Sequence, residues 1–168
     1  MRAGIALGSN LEPRLIHLQA ARGRLLALHS DNRAVAFCSK VYETSPVDCA
    51  EFTPPFLNAV MEISTDLPPA KLLEALHGIE EHLGRPSKRE RNSPRTIDLD
   101  ILYYDDLVVV QDDLIIPHPR MTARRFVLQP LADIRAEMVL PTTTKTVKEL
   151  LHDLPTTENV EVYCHAIY

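Results

Sequence analysis

Two aspartates, Asp98 and Asp100, stand two positions apart in a run from Thr96 to Tyr104 that alternates and is rich in apolar and aromatic residues. Such alternation predicts a strand, and residues i and i+2 of a strand leave by the same face. Ile97, Leu99 and Ile101 then take the opposite, buried face, and the two carboxylates are held side by side. Paired carboxylates repel unless a positive charge lies between them. The pair is therefore a seat for hard divalent cations, and magnesium suits one or two carboxylates completed by substrate phosphates. The stretch before it is basic: Arg85, Lys88, Arg89, Arg91 and Arg95 put five cations into eleven residues, opposed only by Glu90. Carboxylates for metal beside guanidiniums are what phosphoryl transfer uses, one to bridge phosphate oxygens and the other to neutralise developing charge. An Asp-x-Asp pair alone is more readily the wet side of a half-buried strand. The cations concentrated beside it favour chemistry.

The elements around the pair can be read in order. Arg2 to Leu7 is a short apolar strand ending in Gly8-Ser9-Asn10, either a tight turn or a turn whose amides approach a ligand. Leu11, Leu15, Leu18, Ala21, Leu25 and Leu28 recur at helical spacing, predicting an amphipathic helix over 12–29. Arg33 to Tyr42 reads as a second strand, Glu43 to Pro55 as a long proline-bearing loop, and Phe56 to Ile63 as a third strand. Asn58 is unusual inside a strand; its amide either reads a ligand or bonds to loop backbone. Asp66 is the expected cap of the next helix, Pro68 and Pro69 suit its first turn, and Gly84 ends it. Glu80 near that end reads as a solvated residue, with a place facing the site as the other reading. After the acidic strand come an Asp105-Asp106 turn and a short strand over 107–110. His118 lies between two prolines and is followed by Arg120, Arg124 and Arg125, a second phosphate-gripping element. Phe126 reads as core, and Val127 to Ile134 as a helix. Beyond Pro141 the pattern weakens, with a last short helix over 147–151 and a strand or tail over 159–163.

The order strand, helix, strand, strand, helix, strand gives two split βαβ halves. That predicts an α+β, ferredoxin-like sandwich, an antiparallel sheet with helices on one face and a C-terminal helical appendix, as a single domain over 1–168 with a poorly defined tail over 141–168. There is no Walker-type loop and no kinase glycine motif. A net charge of −5, from 18 Lys+Arg against 23 Asp+Glu, and an aromatic content of 5% argue against a nucleic-acid binder. Three cysteines, Cys38, Cys49 and Cys164, are odd in number and lack metal spacing, so free thiols in a reducing compartment are expected. No run is suited to a signal peptide or a membrane span, and a cytoplasmic, monomeric protein is the expectation.

The segments ALGSN (6–10), VYETSP (41–46), FLNAV (56–60), LGR (83–85), PRTIDLDIL (94–102), IPHPRM (116–121) and R-x-FVLQPL (124–131) occur in an order that resembles the 6-hydroxymethyl-7,8-dihydropterin pyrophosphokinases of folate biosynthesis. The resemblance covers about residues 3–141. It implies transfer of the diphosphate of ATP to the hydroxymethyl group of the pterin, with release of AMP. It implies two magnesium ions on Asp98 and Asp100, and catalytic arginines at Arg85 and Arg95. It further implies an ATP site lined by His77, Glu80, Arg85, Arg95, Ile101, Ile115, His118 and Arg124. The pterin would lie between Phe56 and Phe126, read by Asn58 and by the chain at Thr44, Ser45, Pro46 and Val47. The sequence departs from the family at Asn92-Ser93, where an aromatic residue and a glycine are usual, and the chain has no tryptophan. Asp48, His77 and Thr122 also replace common family residues. Weaker closure over the site is expected from the missing ring, and a catalytically weak or silent relative that only binds pterin or nucleotide is the alternative.

Overall fold

The computed structural model describes residues 1–30, 35–45, 54–85, 94–156 and 158–167. In chain order the elements are β1 (Arg2–Ser9), α1 (Arg14–Ala27), β2 (Phe37–Cys38), β3 (Val41–Thr44), β4 (Phe56–Ser64), α2 (Pro69–His82), β5 (Asp98–Tyr104), β6 (Val109–Gln111), β7 (Leu114–Ile116), α3 (Arg125–Arg135), α4 (Val147–Asp153) and β8 (Val160–Cys164). The main sheet runs β5-β1-β4-β3-β8, with β2 also on β4, and every pairing is antiparallel. With β1 and β4 central, this is the ferredoxin-like arrangement that the element order predicts.

The two faces of the sheet have separate cores. Ala3, Ile5 and Leu7 of β1, the odd-numbered residues of β4 and Leu99 and Ile101 of β5 meet Leu18, Ala21 and Leu25 of α1 and Leu72, Leu76 and Ile79 of α2. Period-two strands here face period-3.6 stripes, which is why both patterns are plain in the sequence. On the other face Val60, Leu102 and Tyr103 pack with Val127, Leu128 and Leu131 of α3. The expectation of helices on one face only is thus corrected: α3 and α4 cover part of the second.

A register shift between Gly4 and Ile5 sets a bulge in β5, so that Leu102 and Tyr103 both enter the second core. There the Tyr103 hydroxyl donates to Glu62 at 2.5 Å, and Arg135 clasps both oxygens of the same carboxylate. Burial alone would push Glu62 up; the Arg135 and Tyr103 hydrogen bonds outweigh it and hold the carboxyl below its usual range.

Other boundaries differ for identifiable reasons. The second strand is split at Ser39-Lys40, because Ser39 exchanges bonds with Val60 through both its backbone N–H and its hydroxyl oxygen, and the Lys40 N–H donates to Asp133. Glu43 and Thr44, expected in a loop, continue β3. Asp66 does not cap α2; the two prolines carry the start to Pro69, beyond the reach of its side chain, while Gly84 at φ 89° closes the helix as expected. The 107–110 strand is β6 of a hairpin with β7. The C-terminal part is more than a helical appendix. Thr146 and Glu149 form a reciprocal cap on α4, and β8 extends the sheet beside β3. Arg33, Cys49, and most of the basic segment, with Lys88, Arg89, Arg91 and Asn92-Ser93, lie outside the described residues. Cys38 and Cys164 are free thiols. Among the described residues no helix is long and apolar enough to cross a membrane.

A Cβ placed on Gly4 would meet the Tyr103 ring at 2.1 Å, so the ring takes the space a side chain would need. Gly4→Ala is expected to destabilise the fold by about 1–3 kcal/mol, as overpacking of a filled core does. Urea denaturation measures it, and an unchanged midpoint would mean the ring moves aside without cost.

Candidate active site

The site lies on the face that carries α3, at the end of the sheet where β1 runs out. Strand register builds it row by row. Asp98 is paired with Gly8 and Gly8 with Asn58; Asp100 is paired with Ala6 and Ala6 with Val60. Directly paired residues share a face, so Asp98, Gly8 and Asn58 form one line across three strands. Phe56 and Thr44, paired with each other, lie beside Asn58.

Asp98 is the most heavily bonded acid in this cluster. Arg85 reaches one carboxylate oxygen at 2.5 Å and Arg95 the other at 3.1 Å. Arg85 follows Gly84, whose left-handed backbone turns the chain back, and its other terminal nitrogen pairs with Glu80. Glu80 is 5% exposed and also accepts the Leu99 N–H at 2.7 Å. Its reading as a solvated helix residue is corrected. Glu80 continues the i, i+4 row of Leu72 and Leu76, and that row could have betrayed it as an inward-facing acid. One buried carboxylate thus fixes both an arginine and the backbone of the acidic strand.

Asp100 reaches solvent, but enough protein flanks it for desolvation to raise its carboxyl above the usual range, with the charge of Asp98 adding to the rise. His118, Arg95 and Arg124 oppose the shift. His118 is tied to β5 through its N–H to the Leu102 carbonyl at 2.8 Å, and its Nδ1 accepts the Arg120 N–H. Burial lowers its pKa, and the neighbouring arginines add to that against the pull of Asp100.

Aromatic rings edge the same area. The Arg95 guanidinium lies 5.5 Å from the centre of the Phe56 ring, and Arg124 lies 5.3 Å from that of Phe126 on the first turn of α3. Phe126 is half-buried against the second core, so its reading as core holds in part. The Asn58 amide donates to the Thr44 hydroxyl at 2.6 Å, a side-chain partner rather than loop backbone. Ser45 is exposed at the end of β3, with its N–H toward the Asn159 carbonyl; Pro46 and Val47 lie outside the described residues.

Three expected residues are placed differently from the rest. Ile101 is buried in the α1/α2 core, on the face opposite the aspartates, and His77 is exposed on α2. Ile115 is exposed on the β6–β7 hairpin. Asn10, which sequence reasoning left in a turn, is 2% exposed and exchanges two bonds with Arg95, donating its N–H to the carbonyl and accepting the Arg95 N–H on Oδ1 at 2.8 Å. Its Nδ2 lies 3.5 Å from the Pro54 carbonyl. Among the described residues no three potential ligands converge as a metal cage. The donor set is a pair of hard oxygens, which suits a cation that brings phosphate or water with it.

With that geometry in view, likeness to known proteins is informative. Residues 4–136 match the family model described as 7,8-dihydro-6-hydroxymethylpterin-pyrophosphokinase. The chain is 46% identical over 134 residues to the 2-amino-4-hydroxy-6-hydroxymethyldihydropteridine pyrophosphokinase of Bacillus subtilis (strain 168), covering 79% of this chain and 77% of that one. A folic acid synthesis protein of Dictyostelium discoideum is 38% identical over 156 residues, 93% of this chain but 23% of that longer protein. In fold, the chain resembles the wild-type Plasmodium falciparum HPPK-DHPS solved with pterin and p-hydroxybenzoate, at a TM-score of 0.69 and 16% identity, over 90% of this chain and 41% of that one. It therefore spans less than half the length of each of these two longer relatives. The match across most of the chain makes this protein a member of the 7,8-dihydro-6-hydroxymethylpterin pyrophosphokinase family.

Proposed function

We propose that the chain is a magnesium-dependent enzyme that moves the diphosphate of ATP onto the hydroxymethyl oxygen of 6-hydroxymethyl-7,8-dihydropterin and releases AMP. The observation that carries this reading is the line Asp98–Gly8–Asn58, which sets an acidic pair opposite an amide and a phenylalanine ring across one strand. Asp98 and Asp100 would together hold two magnesium ions. A divalent cation held there would supply charge neutralisation at the phosphates and acidify a hydroxyl beside it. Desolvation of Asp100 and its repulsion by Asp98 fit a site that binds positive charge.

The chain's own residues do the rest. Each oxygen of Asp98 faces a guanidinium, so loading a cation there requires an arginine to turn away. Arg85 has Glu80 as a second anchor and stays beside the phosphates when it gives up Asp98. Arg95 is fixed at its backbone by Asn10, which leaves its guanidinium free to follow charge as the bond to AMP breaks. His118 and Arg124 would line the nucleotide side, with Glu80 beneath them; Ile101, buried on the opposite face, is left out of it. On the pterin side, Phe56 and Phe126 sandwich the ring, and Asn58 reads its edge with the chain from Thr44 to Val47. We assign no described side chain as a separate general base; a bound cation would supply the acidity that lets the hydroxyl give up its proton. A cytoplasmic monomer accords with this role.

The direct test is AMP release from ATP, the pterin alcohol and magnesium, followed by chromatography. Turnover that stops when any one of the three is withheld is expected. Binding of both substrates without AMP would favour the silent relative. Asp98→Asn and Arg95→Ala are each expected to lower kcat by about 10²–10³-fold, the usual loss of one charge-stabilising group. Loss confined to KM would count against these roles.

Asp100 gives a prediction with a sign. Its carboxyl is raised in the folded chain, so the folded state binds its proton more tightly than the unfolded state does. Ionisation therefore destabilises the fold at neutral pH, and that cost vanishes as pH falls below the unfolded value. In chelator, Asp100→Asn should melt above the parent at neutral pH, with the gap closing in acid, while turnover is lost. A mutant melting lower at neutral pH would overturn the assignment.

A further inference from the structure

We propose that Gly8 is a specificity-determining residue of this site: its bare backbone is the bridge over which the heterocyclic alcohol passes from the amide of Asn58 to the carboxylate of Asp98. The inference rests on the pterin reading above and goes beyond it in naming what the edge of the ring lies on. Asp98 and Asn58 belong to β5 and β4, which flank β1 on its two sides, and both are paired with Gly8. Neighbouring strands lie about 4.8 Å apart, so a molecule touching both residues must span about 10 Å and cross β1 at this position.

Among the described residues nothing else requires glycine there. The bulge, with Leu102 as its extra residue, is on β5 opposite Gly4 and Ile5, away from Gly8, and Gly8 does not have positive φ. Gly4 shows what a packing glycine looks like on this strand and face: a Cβ would collide with the Tyr103 ring. At Gly8 the nearest described atoms to a Cβ are Asn58 Oδ1 at 3.2 Å, Asp98 Cβ at 3.8 Å and Phe56 Cδ1 at 4.0 Å. A side chain would fit with an adjustment of tenths of an ångström, yet it would point into the triangle formed by the amide, the acid and the ring. Glycine weakens a strand interior, and where neither bulge nor packing demands it, close approach of a ligand is the remaining reason. The Tyr103 ring fills the space over Gly4; at Gly8 the edge of the substrate ring, its faces held by Phe56 and Phe126, fills the corresponding space. Selectivity follows, since a flat ring with a short arm can cross here and a puckered or branched one cannot.

Titration of wild type, Gly8→Ala and Gly8→Val with the pterin alcohol, and separately with a non-hydrolysable ATP analogue, tests this. One added methyl is expected to weaken the pterin alcohol by about 10–200-fold, the range for one carbon in a fitted pocket. Affinity for the ATP analogue should stay within about twofold in Gly8→Ala, well inside the scatter of a neutral contact. Its melting temperature should not fall, because alanine suits a strand interior better than glycine. Unchanged pterin affinity in Gly8→Ala overturns the proposal, as does an equal loss for both ligands. If Gly8→Val fails to fold, Gly8→Ala alone decides. A wild-type chain that binds the ATP analogue but no pterin alcohol overturns the functional reading itself, a result distinct from failure at Gly8.

Discussion

Two carboxylates on one face of one strand set the terms for this structure. Asp98 and Asp100 repel, and the protein accommodates them unequally. Asp98 is neutralised by two guanidiniums, while Asp100 keeps its access to water at the cost of a raised carboxyl. The arrangement holds because Glu80, buried beneath, takes the second arm of Arg85. A buried carboxylate that lost its partner would cost about 3–5 kcal/mol, far more than an exposed pair contributes. The charge order, acid to arginine to acid to arginine, therefore links the end of α2 to the start of β5. Any cation entering the site must be exchanged against a charge already in place.

A second set of charges has a structural task. Glu62, Arg135 and Tyr103 lie on the same face as the site but toward the opposite end of the strands, where α3 ends. Their groups are matched within the protein, and Glu62 is held below its ordinary range. The contrast with Asp100 is physical: at one end the field is cancelled internally, at the other it is left partly open. The two ends of one sheet face thus divide anchoring from chemistry.

The elements that bury a face at regular spacing were legible in the sequence. Leu18, Ala21 and Leu25 of α1, the whole of β4, and the paired aspartates follow from period alone. What period does not record is what a polar residue meets when the chain folds. Glu80 and Asn10 are buried because their partners, Arg85 and the Arg95 backbone, come from elsewhere in the chain. The break at Ser39 depends on a bond to Val60, and the start of α2 depends on two prolines overruling Asp66. The bulge opposite Gly4 puts two consecutive residues on one face, which strict alternation forbids. Ile101 obeys alternation and so ends on the far side from the aspartates, although the family resemblance groups it with the nucleotide.

Asn10 holds Arg95 through two main-chain bonds and lies within reach of the Pro54 carbonyl, so the downstream feet of two separate connections are anchored at one buried amide. Insertions or deletions upstream of either foot then leave the guanidinium and the neighbouring phenylalanine where they are. Chain length in those connections becomes a variable that can drift, or be engineered by grafting, without re-registering the strands behind them.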